Sequence, residues 1–141
     1  MRSPALARKI ASLALTKKAH DVTIMDLRKL TSMVNFFVIC SADSDIQVRA
    51  IADAVEDGLE KKGSHAWHKE AGSLNWVLLD YVDVVLHVFH KNTRTYYNLE
   101  KLWGDAEIEH VTDEKDGVRM KRGTAAAADQ RKRTVKRKIA S

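Results

Sequence analysis

Long apolar runs are missing from this chain. Nothing in its 141 residues approaches the ~18 or more apolar residues that a membrane-spanning helix needs. The longest stretches, "NFFVIC" and "WVLLDYVDVVLHVF", are short and interrupted, which fits strands buried in a sheet. Cysteine is nearly missing too. Cys40 is the one thiol, set inside an apolar run, so no internal disulfide can form. A small buried hydrophobe in a reducing, cytoplasmic protein is the expectation. Acid is missing from residues 1–20, which hold Arg2, Arg8, Lys9, Lys17 and Lys18. Organelle transit segments have that composition. Yet Leu6, Ile10, Leu13 and Lys17 keep helical spacing and run straight into a strand, so a folded helix is expected. The apolar core and small-residue cleavage site of a secretory signal are lacking.

The usual signatures of chemistry are scarce. The sequence contains no HExxH, no CxxC and no GxxxxGK[ST] phosphate cradle. His65 and His68, like His87 and His90, are three apart, which in a strand sends the two side chains to opposite faces. No cofactor and no metal ligand set is expected. Cys40 has no cationic neighbour in sequence that would activate a thiolate. Asp43 and Asp45 in "SADSD", with Asp80 further on, could hold magnesium for nucleotidyl transfer. The simpler reading makes Asp43, Ser44 and Asp45 the first-turn residues of a helix, where acids oppose the positive end of its dipole.

Charge is present but uneven. Residues 1–110 carry 14 Lys and Arg against 15 acids, a net of −1, whereas residues 111–141 carry 10 against 4, a net of +6. The second segment is too poor in apolar residues to fold alone. A domain is therefore expected over 1–110, with a basic, disordered tail over 111–141. Arg131, Lys132, Arg133, Lys136, Arg137 and Lys138 crowd eight positions of that tail, a candidate contact for an RNA backbone. With no aromatics there, base stacking is not expected.

The elements read in the order α-β-β-α-β-β-β-α. A helix spans about Ala5 to Ala19, and "VTIMDL" and "NFFVICSA" are strands. Ser44 with Gln47 marks a capping box, and Gly63 closes the following helix. "SHAWHKE" is a short strand, and "EAGS" is turn-like. "LNWVLLDY" and "DVVLHVFH" are strands joined tightly around Tyr81 and Val82. A last helix runs from near Asn92 and Thr93 to Gly104. The long helix after the second strand implies a crossover and a parallel pair. The fold class is α/β, a mixed five-stranded sheet with packed helices.

From about Leu6 to Ala106, roughly 100 residues, the chain resembles the ribosomal silencing factor family, also called RsfS or Iojap-like proteins. The resemblance rests on "KKAHDVTIMDLRKLTSMVNFFVICSADSDIQVRAIADAV", on "WVLLDYVDVVLHVF" and on "RTYYNLEKLWGDA", which fits the family's Arg-x-x-Tyr-x-Leu-Glu-x-Leu-Trp ending. In two places the chain departs from the family. Ala71 stands where the family has glycine, in a turn one residue shorter, and Val82 stands where it has the glycine before an aspartate. A turn without glycine restricts positive φ. The resemblance implies a nucleotidyltransferase-like core without the catalytic signature, and a non-enzymatic repressor of translation. It implies binding to the large ribosomal subunit at ribosomal protein L-fourteen, blocking the small subunit from joining. A metal-dependent nucleotidyltransferase-like enzyme, and a general RNA-binding module acting through the tail, are the alternatives; a homodimer is left open. Affinity at such an interface rests on a few desolvated anchors. The expected partner-binding residues are Trp76, Asp80, His87, Arg94, Tyr97, Leu99, Glu100 and Trp103. Arg94 and Glu100 would fix register at the rim or between helix and sheet, and Asp80 and His87 are expected near one face. Leu99, Leu102 and Trp103 at helical spacing would tie the last helix to the sheet. Tyr97 lies about 100° around the helix from Tyr96, so one of the two should be available outside.

Overall fold

A computed structural model describes residues 2–73, 75–97, 99–114 and 117–124. Its elements are α1 (Ser3–Leu15), β1 (His20–Asp26), β2 (Phe36–Ala42), α2 (Asp45–Glu60), β3 (His68–Ser73), β4 (Trp76–Asp80), β5 (Val84–His90), α3 (Lys91–Tyr97), α4 (Leu99–Leu102), β6 (Glu107–Glu114) and β7 (Gly117–Thr124). The strands form one seven-stranded mixed sheet in the order β3-β4-β5-β2-β1-β6-β7. The five expected strands are all present, and β6 and β7 extend the sheet beyond them. The boundary expected near residue 110 falls inside β6. Residues 125–141, with the basic run, lie outside the described residues.

The parallel pair is β2 with β5, so the crossover from β2 contains the β3 and β4 strands as well as α2. The other described pairings are antiparallel. β3 begins later than expected and runs through the segment read as a turn. Glu70 faces Leu78 and Ser73 faces Trp76, with an irregularity between them that absorbs the short connection. The helical residues after β5 are described as α3 and α4, on either side of residue 98, which lies outside the described residues.

α1 and α2 pack on one side of the sheet. Pro4 sits in the first turn of α1, where its missing N–H is no loss. Leu6, Ala7, Ile10, Ala11 and Ala14 are the buried stripe of that helix, so the acid-free N-terminal segment is folded onto the sheet. α2 starts as its cap chemistry dictates. Ser44 Oγ accepts from Gln47 N at 3.1 Å, and Gln47 Oε1 accepts from Asp43 N at 2.7 Å. The Gln47 amide also donates to the Lys17 and Lys18 carbonyls, tying the start of α2 to the end of α1. Gly63 adopts φ +80°, which lets Ser64 N return to Leu59 O at 2.9 Å. The two helices approach closely at Gly58, where a Cβ would lie 2.5 Å from a Leu13 methyl. Between helices and sheet lie Val22, Ile24, Val38, Cys40, Val77, Leu79, Val84, Leu86 and Val88 with Val48, Ile51, Val55 and Leu59. Burial pushes the Cys40 thiol up to about 12, so it stays protonated and inert.

Candidate functional site

The alternation of a strand sends every second residue to the side of the sheet away from α1 and α2. Cross-strand register collects them. Trp76 faces Phe89, Leu78 faces His87 and Asp80 faces Val85. Phe37, Ile39 and Ser41 continue the surface on β2, and Thr23 and Met25 on β1. Asp80 and His87 thus lie on one face, in adjacent rows.

The centre of this face is aromatic. The Trp76 and Phe89 rings stack with centroids 5.2 Å apart, and His87 lies parallel to Phe89 at 5.9 Å. Phe37 stands edge-on to His87 at 4.8 Å and to Trp103 at 6.3 Å. Met25, Leu27, Ile39, Phe89, Ala106 and Ile108 are buried beneath or beside them, while Val34, Phe37, Trp76 and Trp103 stay half-buried. Leu78 is half-buried as well. Such a platform offers large rigid apolar area at small entropic cost. Leu102, next in the chain to Trp103, is 72% exposed, against the expectation that it ties the last helix to the sheet.

His87 is 5% exposed. Burial lowers its pKa to about 4, so the ring is neutral near neutral pH. Arg94 is 6% exposed and sits between helix and sheet, not at a rim. Its Nη1 donates to the Asp21 carbonyl at 2.5 Å and to Ser41 Oγ at 3.0 Å, and Nη2 donates to Thr23 Oγ1 at 3.2 Å. Asp21 has φ +48° where the β1–β2 register shifts, a bulge that leaves its carbonyl to be taken by the guanidinium. Arg94 therefore pins α3 across β1 and β2 at one end of the same face. The side chains of Tyr97, Leu99 and Glu100 lie outside the described residues.

Asp80 supports the β4–β5 turn, its Oδ1 accepting from Val82 N at 2.7 Å. Val82 has φ +73°, and Asp83 N bonds back to Tyr81 O at 3.0 Å, a γ-turn of the rare, strained kind. The turn reaches positive φ without glycine, contrary to expectation, and holds the Val82 side chain 57% exposed.

The carboxylates of the metal-site alternative are not gathered. Asp80 lies level with Val85, and Asp43 follows Ala42, which lies level with His90. Five residues of strand, about 17 Å, separate the two levels. Asp43 instead bonds His20 Nε2 at 2.7 Å, with Lys91 Nζ at 3.8 Å, and the His20 contact lowers its pKa. Among the described residues, no group of three or more His, Cys, Asp or Glu could hold a metal ion. Phe37, Phe89 and Ile39 are the face residues that sequence reasoning missed. The signal was available, since they alternate with core positions in strands already identified.

Comparison with known proteins decides the family. The family model described as "Ribosomal silencing factor during starvation" matches residues 1–139. The chain belongs to the ribosomal silencing factor family. That family is one of non-enzymatic, ribosome-binding regulators of translation. The ribosomal silencing factor of Bacillus subtilis is 44% identical over 102 residues, 71% of this chain and 86% of the relative. The chloroplastic Iojap protein of Arabidopsis thaliana is 36% identical over 104 residues, of which this chain spans 44% of the relative's length. A crystal structure of a Chromobacterium violaceum protein superposes with a TM-score of 0.71 at 33% identity, covering 74% of this chain and 88% of the other. A Bacillus halodurans structure gives 0.65 at 37% identity, covering 72% and 95%.

Proposed function

We propose that this silencing factor docks on the large ribosomal subunit through the aromatic face of its sheet and blocks small-subunit joining. The observation that carries the reading is the half-exposed cluster of Trp76, Phe37, Leu78 and Trp103 on the side away from α1 and α2, with exposed Leu102 next in the chain to Trp103. A platform of this composition is what interface anchors require. A joining block then needs bulk and residence time, and no chemistry. The partner is ribosomal protein L-fourteen, by the family resemblance, and the site of action is the cytoplasm, with the ribosomes. Trp76, Tyr97, Leu99 and Trp103 supply apolar contacts, Asp80 and Glu100 polar ones, and Arg94 acts by holding α3 in place. The basic run from Arg131 to Lys138 adds phosphate contacts to ribosomal RNA, which strengthen binding without specifying it. The mixed sheet is a nucleotidyltransferase-like core without catalytic acids in register; a homodimer is a further state of the free protein. Sedimentation tests the reading. Added protein should travel with free large subunits and lower the yield of joined ribosomes; unchanged joining at saturating protein would overturn it.

A further inference from the structure

His87 is a donor without an acceptor. The indole nitrogen of Trp76 can only donate. It lies 3.4 Å from His87 Nδ1, so Nδ1 is the lone-pair nitrogen. In a neutral imidazole the proton is then on Nε2. Nε2 is buried, with no hydrogen-bond partner among the described residues. Buried polar atoms are nearly always satisfied, and an exception calls for a reason. Tyr81 Oη is also unpartnered, but Tyr81 belongs to the helix-covered core, away from the aromatic face. His87 belongs to the opposite face, between Trp76, Phe89 and Phe37. On that face Phe37 and Trp103 are half-buried, and Phe37 stands edge-on to both His87 and Trp103.

We propose that His87 determines the specificity of the docking face, its Nε2–H held for a backbone carbonyl or carboxylate oxygen supplied by the bound ribosomal protein once Trp103 shifts from Phe37. This rests on the docking reading above. An apolar surface accepts many hydrophobic partners. A buried donor among the anchors rejects those that bring no acceptor, because each such complex leaves the N–H unsatisfied.

The test compares His87→Phe with His87→Gln for binding to purified large subunits. Phenylalanine keeps the ring and removes the donor; glutamine places an amide N–H near the position of Nε2. The expected results are a melting temperature for His87→Phe at or above the parent's, with affinity lowered about tenfold, and an affinity for His87→Gln within about threefold of the parent. Unchanged affinity in a folded His87→Phe overturns the inference. Leu102→Glu separates this from failure of the docking reading. If it weakens binding while His87→Phe does not, the histidine is idle and the face stands; if neither weakens binding, the docking reading fails too. Imidazole nitrogen NMR of the parent needs no variant. The Nε2–H tautomer is expected in the free chain, with the Nε2 proton moving downfield on addition of ribosomal protein L-fourteen. An Nδ1–H tautomer, or no movement on binding, overturns the inference.

Discussion

The two sides of the sheet use the same kinds of residue to opposite ends. On one side largely aliphatic residues from five strands meet α1 and α2, and most of that core is fully buried. On the other side the residues are larger and aromatic, and several stay half-buried. Part of that second side is closed by α3, pinned by Arg94; the rest is a half-buried platform, and Leu102, next in the chain to Trp103, is exposed. Full burial signals stability, since every atom is already in contact. Half-burial of costly aromatic surface signals a contact still to be made.

The sharpest break of this contrast is on the helix side. Leu59 is fully buried there. Leu59→Ala should lower unfolding free energy by about 2–5 kcal/mol in denaturant titration, while the folded fraction binds large subunits as tightly as the parent. Next is Arg94. Arg94→Met removes the donors to Asp21, Ser41 and Thr23, and leaves buried acceptors unpaired at about 1–3 kcal/mol in stability. Weaker docking should follow from the loosened α3, visible as faster hydrogen exchange in residues 91–97.

Acid should act on the aromatic side. The folded pKa of His87, near 4, lies below the ordinary value of about 6.5, so the unfolded chain binds the extra proton first. Its contribution to stability is intact above about pH 6.5 and is lost as pH falls toward 4, by of order 2–3 kcal/mol. Thermal melts across that window should slope less in His87→Phe. The smallest effect belongs to the edge between the sides. Val82 is a β-branched residue at positive φ, and Val82→Gly should raise stability by about 1 kcal/mol, read as a higher melting temperature.

Legibility in the sequence followed local chemistry. Ser44, Gln47 and Gly63 announce α2 because caps and left-handed glycine are decided within a few residues. The strands β2, β4 and β5 were legible from dense apolar runs. β6 was not, because Ile108 and Val111 lie in the cores on opposite sides of the sheet and polar Glu109 and His110 fill the positions between them, so neither a run nor an alternation stands out. Arg94 read as a charge fixing register at the rim or between helix and sheet, and the structure takes the second place. The signal that could have chosen between them was Thr23 and Ser41, polar strand residues that need a partner when buried. Leu102 misled. Helical spacing suggested burial, but the side chain is 72% exposed.

The most direct test of the account is the joining assay with Leu102→Glu. That side chain is exposed, so the substitution should leave folding intact. The account predicts that the variant no longer travels with large subunits, its affinity lowered roughly 30-fold, and that joined ribosomes form at the protein-free yield. A folded Leu102→Glu variant that binds and blocks joining as the parent does would contradict the claim that this face is the docking surface.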